Sequence, residues 1–180
     1  MKKLLMTLLS SFCILTCVGC AQIDEDKTTV DTTQDEVQDV GEITGVIAGH
    51  TLECDDGSSL QLKGDGSYVW YKDPGNTKNN YYEGTYSMYS GDDAVKAVAD
   101  IEALGLSEKE QYKLIEEHKE DGVTVDDWFL MIQHRSKKVV DGTTSEDSDD
   151  IVYVGFYYDD LKVYDALNCN TGNYAIFGVK

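Results

Sequence analysis

From residue 51 onward, apolar and polar positions alternate in short runs separated by Asp-Gly turns. Thr51 to Cys54 and Ser59 to Lys63 flank Asp55-Asp56-Gly57, and Gly64-Asp65-Gly66 leads into Ser67 to Lys72. This spacing predicts successive β-hairpins, because Asp-Gly adopts the positive-φ turn that matches the twist of the flanking strands. After the longer turn Asp73-Pro74-Gly75-Asn76, the run Tyr81 to Tyr89 places Tyr82, Gly84, Tyr86 and Met88 on one face. Tyr81, Glu83, Thr85 and Ser87 fall on the other, so a period of two predicts a further strand.

At residue 92 the period changes. Asp92 can cap a helix whose apolar positions Ala94, Val95, Ala97, Val98, Ile101 and Leu104 recur every three or four residues, with Gly105 as its stop. Ser107 and Glu110 have the spacing of a capping box, predicting a second helix to about His118 with Tyr112, Leu114 and Ile115 inward. Strand signals return at Trp128 to His134, followed by an expected turn at Arg135-Ser136, a short strand Lys137 to Val140 and an acidic loop Asp141 to Asp150. Ile151 to Tyr158, Leu161 to Ala166 and Tyr174 to Val179 complete about eight strands, with Asp159-Asp160 as a turn. The pattern is mainly β (α+β): an antiparallel barrel or strongly curved sheet with a helical hairpin inserted over about 92–120. A two-sheet sandwich is the alternative.

The N-terminus follows a different rule. Lys2 and Lys3 precede an apolar run from Leu4 to Val18, and Cys17-Val18-Gly19 stands directly before Cys20. A run this short is below the roughly 20 residues that span a bilayer, and it has the parts of a secretory signal. It resembles the lipobox of bacterial lipoproteins, with Cys17 where leucine is usual; Cys17 itself, preceded by Ile14-Leu15-Thr16, is the rival lipidation site. The resemblance implies a signal peptide over 1–19 and a mature N-terminal Cys20 carrying thioether-linked diacylglycerol. Two acyl chains give stable anchoring where one does not. The expected location is the cell envelope, at the outer face of the cytoplasmic membrane, or the outer membrane in a Gram-negative cell.

Charge sharpens this picture. The chain carries −19, and loss of Lys2 and Lys3 with the signal leaves −21. Residues 21–42 hold eight acids, one lysine and no aromatic residue. They cannot bury enough surface to fold, and with Cys20 they read as an acidic tether about 25 Å in mean span. Residues 43–180 carry the other −14 and form a single domain. A surface this acidic disfavours nucleic acid as a partner.

Two family likenesses rest on the strands. Asp65-Gly66-Ser67-Tyr68-Val69-Trp70, Tyr82-Glu83-Gly84-Thr85-Tyr86 and the eight-strand order are similar to bacterial lipocalin-like lipoprotein domains. The Gly-x-Trp of lipocalins is missing, since the matching place reads Gly49-His50-Thr51-Leu52. Tyr81 to Asp100, the capping-box helix, Trp128 to Ile132, Gly155-Phe156-Tyr157 and Asn168 to Tyr174 look like small uncharacterised lipoproteins of Gram-positive bacteria, which bring no known catalytic residues.

Of five cysteines, Cys54 and Cys169 alone remain in the domain. In an oxidising compartment they can staple the first strand to the last, or stay as two separately buried thiols. His50, His118 and His134 lack partners at zinc-ligand spacing, and no nucleophile elbow, phosphate loop or dinucleotide fingerprint occurs. No metal, cofactor or catalytic residue is assigned. Glu146, Asp147, Asp149 and Asp150 lack the spacing of an EF-hand and read as a solvated loop. Twelve tyrosines and two tryptophans are the feature that can form a binding surface. Tyr68, Trp70, Tyr82, Tyr86, Tyr153 and Tyr157 share period-two spacing, which suits either cross-strand packing or an amphipathic ligand.

Three function classes stay open. The first is a lipid-anchored, non-enzymatic binding or interaction module for an unknown small amphipathic ligand or a surface protein. The second is a cell-envelope hydrolase using paired carboxylates. The third is an accessory lipoprotein with a solid core.

Overall fold

The inward positions of the alternating runs become the wall of a closed barrel. The computed structural model describes residues 49–180. The signal, Cys20 and the tether lie outside the described residues. The meander β1 (Thr51–Cys54), β2 (Ser59–Leu62), β3 (Ser67–Tyr71) and β4 (Tyr81–Ser90) is followed by α1 (Gly91–Asp100) and α2 (Glu108–Glu117). Then come β5 (Trp128–Val140), β6 (Thr143–Glu146), β7 (Asp150–Tyr158), β8 (Val163–Asn168) and β9 (Asn173–Val179). Antiparallel pairing runs β1-β2-β3-β4-β5-β7-β8-β9 and returns to β1 through Leu52↔Val179, Glu53↔Gly178 and Cys54↔Phe177. The fold is therefore a closed, eight-stranded, lipocalin-like antiparallel barrel with two helices, and β6 lies off the ring.

Two local expectations are corrected. Arg135-Ser136 is not a turn: β5 runs unbroken through thirteen residues. Glu83 pairs with Lys137 and Gly84 with Arg135, so Ser136 is the extra residue of a β-bulge. Its hydroxyl donates to the Glu83 carbonyl at 3.2 Å. The acidic segment 141–150 is not wholly loop either. Asp141 and Gly142 both take positive φ, 50° and 76°, and fold β6 back onto Lys137–Val140. This is the same Asp-Gly hairpin signal that punctuates the earlier strands.

The barrel interior is filled by Leu52, Cys54, Leu60, Leu62, Tyr68, Tyr86, Phe129, Met131, Ile151, Tyr153, Tyr164, Ala166 and Phe177. Outside, Leu130, Val154 and Phe156 of β5 and β7 pack with Ala94, Val95 and Val98 of α1 and Ile115 of α2. The capping box opens α2 as its spacing implies: the Ser107 N–H donates to Glu110 Oε2 at 2.9 Å and the Glu110 N–H to Ser107 Oγ at 3.4 Å. Gly105 stops the first helical segment at φ 58°, after a separate 3-10 turn at Glu102–Leu104.

The buried face of α2 is corrected at one position. Tyr112 is exposed, its hydroxyl donating to Asp92, and Gln111 takes the inward place. Gln111 Nε2 donates to the carbonyls of Val95 and Leu106, and its Oε1 accepts from the Trp128 indole at 2.9 Å. One amide thus ties both helices to the barrel. Gln111→Leu leaves the buried Trp128 indole without its acceptor and removes two bonds to backbone carbonyls, and is expected to lower stability by about 2–3 kcal/mol in a urea melt.

Candidate ligand-binding site

The six aromatic residues singled out in the sequence all project to the inner face. Tyr68, Trp70, Tyr86, Tyr153 and Tyr157 pack in or against the interior cluster, and Tyr82 faces inward opposite Trp70. They do not form one group. Tyr157 stacks on Tyr164, with ring centroids 4.4 Å apart, and its hydroxyl donates to Asp159 beside the β7–β8 turn. Tyr86 spends its hydroxyl on the Lys63 carbonyl of the β2–β3 turn. Trp70 and Tyr82 pair across β3 and β4 toward the end of the β1–β2 and β3–β4 connections, with Tyr68 two residues back on the same inner face of β3. There the Trp70 indole donates to Ser58 Oγ at 2.7 Å, and Trp70 lies 6.3 Å from Tyr153.

Residues that the sequence reading passed over continue the inner face on β5, where Gln133 pairs directly with Tyr86 and Arg135 with Gly84. Phe129, Met131, Gln133 and Arg135 alternate on the inner face of β5, so the row turns polar as it approaches the rim. Gln133 is 0% exposed, and neither its amide nitrogen nor its amide oxygen has a hydrogen-bond partner. Arg135 lays its guanidinium 4.1 Å from the centre of the Tyr82 ring and reaches Asp147 at 3.8 Å, while its Nε has no partner. Lys72 and Lys138 approach the same ring at 5.7 and 5.9 Å. The period-two row Phe-x-Met-x-Gln-x-Arg was the available signal: polar residues continuing an inward apolar series.

Burial sets the electrostatics. The Tyr68 hydroxyl is pushed up to about 12 by desolvation, partly opposed by the neighbouring Arg135 charge, and it forms no well-shaped hydrogen bond. Burial also pushes Tyr153 strongly upward, opposed by Asn168. Both phenols are neutral donors and acceptors at physiological pH. Two of the clustered acids have basic partners: Asp147 reaches Arg135, and Asp150 meets the His134 ring at 2.8 Å. Among the described residues no group of three or more His, Cys, Asp or Glu is arranged to hold a metal ion.

Of the two alternatives for Cys54 and Cys169, the staple is not formed. Cys54 lies in the interior cluster and Cys169 against the outer one. Cys54 pairs with Phe177, whereas Cys169 sits in the β8–β9 turn beyond Asn173. Four residues of strand are roughly 13 Å, well past the Cα separation a disulfide tolerates. Burial pushes the Cys54 thiol up to about 11, against a hydrogen bond from Ser58 that lowers it. Cys54 is therefore expected to resist alkylation by iodoacetamide at pH 8 in the folded chain and to react fully in urea, as peptide mass mapping would read.

Outside the barrel two carboxylates lie near His118. Asp121 meets His118 at 3.1 Å, and Asp165 is held above the usual carboxylate range by burial, with His118 acting the other way. The His118 ring packs 5.1 Å from Phe156, which gives it a structural role in seating the helices.

In comparisons with known proteins the chain matches no family model, no curated protein and no solved structure, so its functional reading stands on the geometry of this barrel end.

Proposed function

We propose that the chain is a lipid-anchored extracytoplasmic binding module whose barrel takes a small amphipathic ligand at the end lined by Tyr68, Trp70, Tyr82 and Tyr153. The observation that supports this reading is the set of inward rings on three different strands of a closed barrel, beside the unpartnered inward polar groups of β5. Aromatic walls with a few convergent polar atoms are the usual chemistry of small-ligand sites. The anchor rests on Cys17-Val18-Gly19-Cys20, and lipid at Cys20 with the acidic tether would hold the barrel clear of the membrane. Incorporation of an alkynyl fatty acid that disappears in Cys20→Ala tests the anchor.

The ligand reading is tested by thermal melts of the full chain carrying Cys20→Ser, against small aromatic alcohols, acids and amines. A saturable rise in Tm that Trp70→Ala removes is the expected result, because a ligand that binds only the folded state stabilises it by mass action. No rise with any of them would count against it. The accessory-lipoprotein reading has its own support: Tyr153 meets Phe177 edge-on at 5.2 Å and Phe129 meets Tyr164 at 5.0 Å, filling the rest of the barrel with rings.

A further inference from the structure

Gln133 is the least explained side chain in the molecule. A buried amide offers two donors and an acceptor, and native structures pair nearly all such groups with protein or with ordered water. Here a fully buried amide has none of the three satisfied, and it stands two residues along the same inner face from the unpartnered Nε of Arg135. The buried Tyr68 hydroxyl faces the same guanidinium across Gly84, which pairs with Tyr68 on one side and Arg135 on the other. Donors therefore outnumber acceptors in this group. The rim above them carries cations as well as acids, Asp147 and Asp150 among the latter. Lys72 and Lys138 meet the Tyr82 ring, and among the described residues neither is in an ion pair.

We propose that this barrel end binds a small monocarboxylate bearing a hydrogen-bond donor on the neighbouring carbon, such as an aromatic 2-hydroxy acid. This rests on the ligand-binding reading above and specifies the ligand's charge and head group. The carboxylate accepts from Arg135 Nε, Gln133 Nε2 and the Tyr68 hydroxyl, and the adjacent hydroxyl donates to Gln133 Oε1. All the orphaned atoms are then satisfied at once. Arg135 keeps its contact with Asp147, so Lys72 and Lys138 supply the charge that draws the anion in. The packed rings of Tyr153, Phe177, Phe129 and Tyr164 deeper in the barrel limit how far a tail can reach past Trp70.

Three size-matched probes separate the elements of this inference by calorimetry on the full chain carrying Cys20→Ser: mandelate, phenylacetate without the hydroxyl, and 1-phenyl-1,2-ethanediol without the charge. Mandelate is expected to bind about tenfold more tightly than the diol and several-fold more tightly than phenylacetate. The surface double variant Lys72→Glu/Lys138→Glu is expected to weaken mandelate about tenfold and leave the diol within twofold. Gln133→Leu is expected to abolish the preference for mandelate while melting no lower than the parent, since it removes orphaned polar atoms rather than a paired group. A diol that binds as tightly as mandelate, or phenylacetate that equals mandelate, overturns the proposed head group and leaves the binding module standing. No binding by any probe, with ordered waters alone on Gln133, overturns both.

Discussion

Alanine at Gly155 is expected to destabilise the barrel by at least about 3 kcal/mol, the upper range for overpacking, and to lower the urea midpoint accordingly. A β-carbon there would stand 1.9 Å from the Asp165 carbonyl oxygen and 2.8 Å from the Ala166 α-carbon. Both are backbone atoms of β8, so no side chain can swing away; the strand itself has to move. Gly84 is held in the same way, 1.9 Å from the His134 carbonyl oxygen beside the β5 bulge. Gly84→Ala is expected to act in the same direction and also to disturb Arg135, its direct partner on β5. Gly178→Ala is the control: its β-carbon would meet only the Glu53 carbonyl oxygen at 3.8 Å, ordinary contact. Circular dichroism melts of the three variants rank them.

Phe177→Ala is expected to remove about 3–5 kcal/mol. Its ring is 0% exposed and lies edge-on to Tyr153, while its backbone on β9 pairs with Cys54 and so helps join the last strand to the first. Truncation leaves a cavity at the seam of the ring. Exchange of the β1 and β9 amide hydrogens should accelerate more than that of β4 and β5, whose long pairing runs from Tyr81↔Val139 to Ser90↔Phe129. Uniform acceleration would show that the seam is no weaker than the rest of the barrel.

Much of this architecture is legible in the residues, because period-two runs, Asp-Gly turns and the Ser107–Glu110 box each carry a local physical cause. The points that escaped are nonlocal. Ser136 looks like a turn residue until Glu83 and Gly84 show that it is an extra residue in a continuous strand. Gln111 outranks Tyr112 on the buried side of α2 because the Trp128 indole, seventeen residues away, needs an acceptor. Cys54 lies on β1 and Cys169 in the turn before β9, and β1 and β9 do become neighbours, yet the length of β9 between Asn173 and Phe177 keeps Cys169 away from Cys54. At the candidate site the aromatic wall was visible as spacing. Gln133 and Arg135 were not, since an inward polar residue gains meaning only once the barrel is known to close around it.

The claim that the barrel end is a ligand site is tested most directly by titrating mandelate into the ¹⁵N-labelled full chain carrying Cys20→Ser. Two indole N–H groups report from different places: Trp70 at the candidate site and Trp128 under the helices, locked to Gln111. The expected result is a saturable shift of the Trp70 indole and the Gln133 side-chain amide with Trp128 unmoved. Static Trp70 and Gln133 signals through the titration would contradict the account.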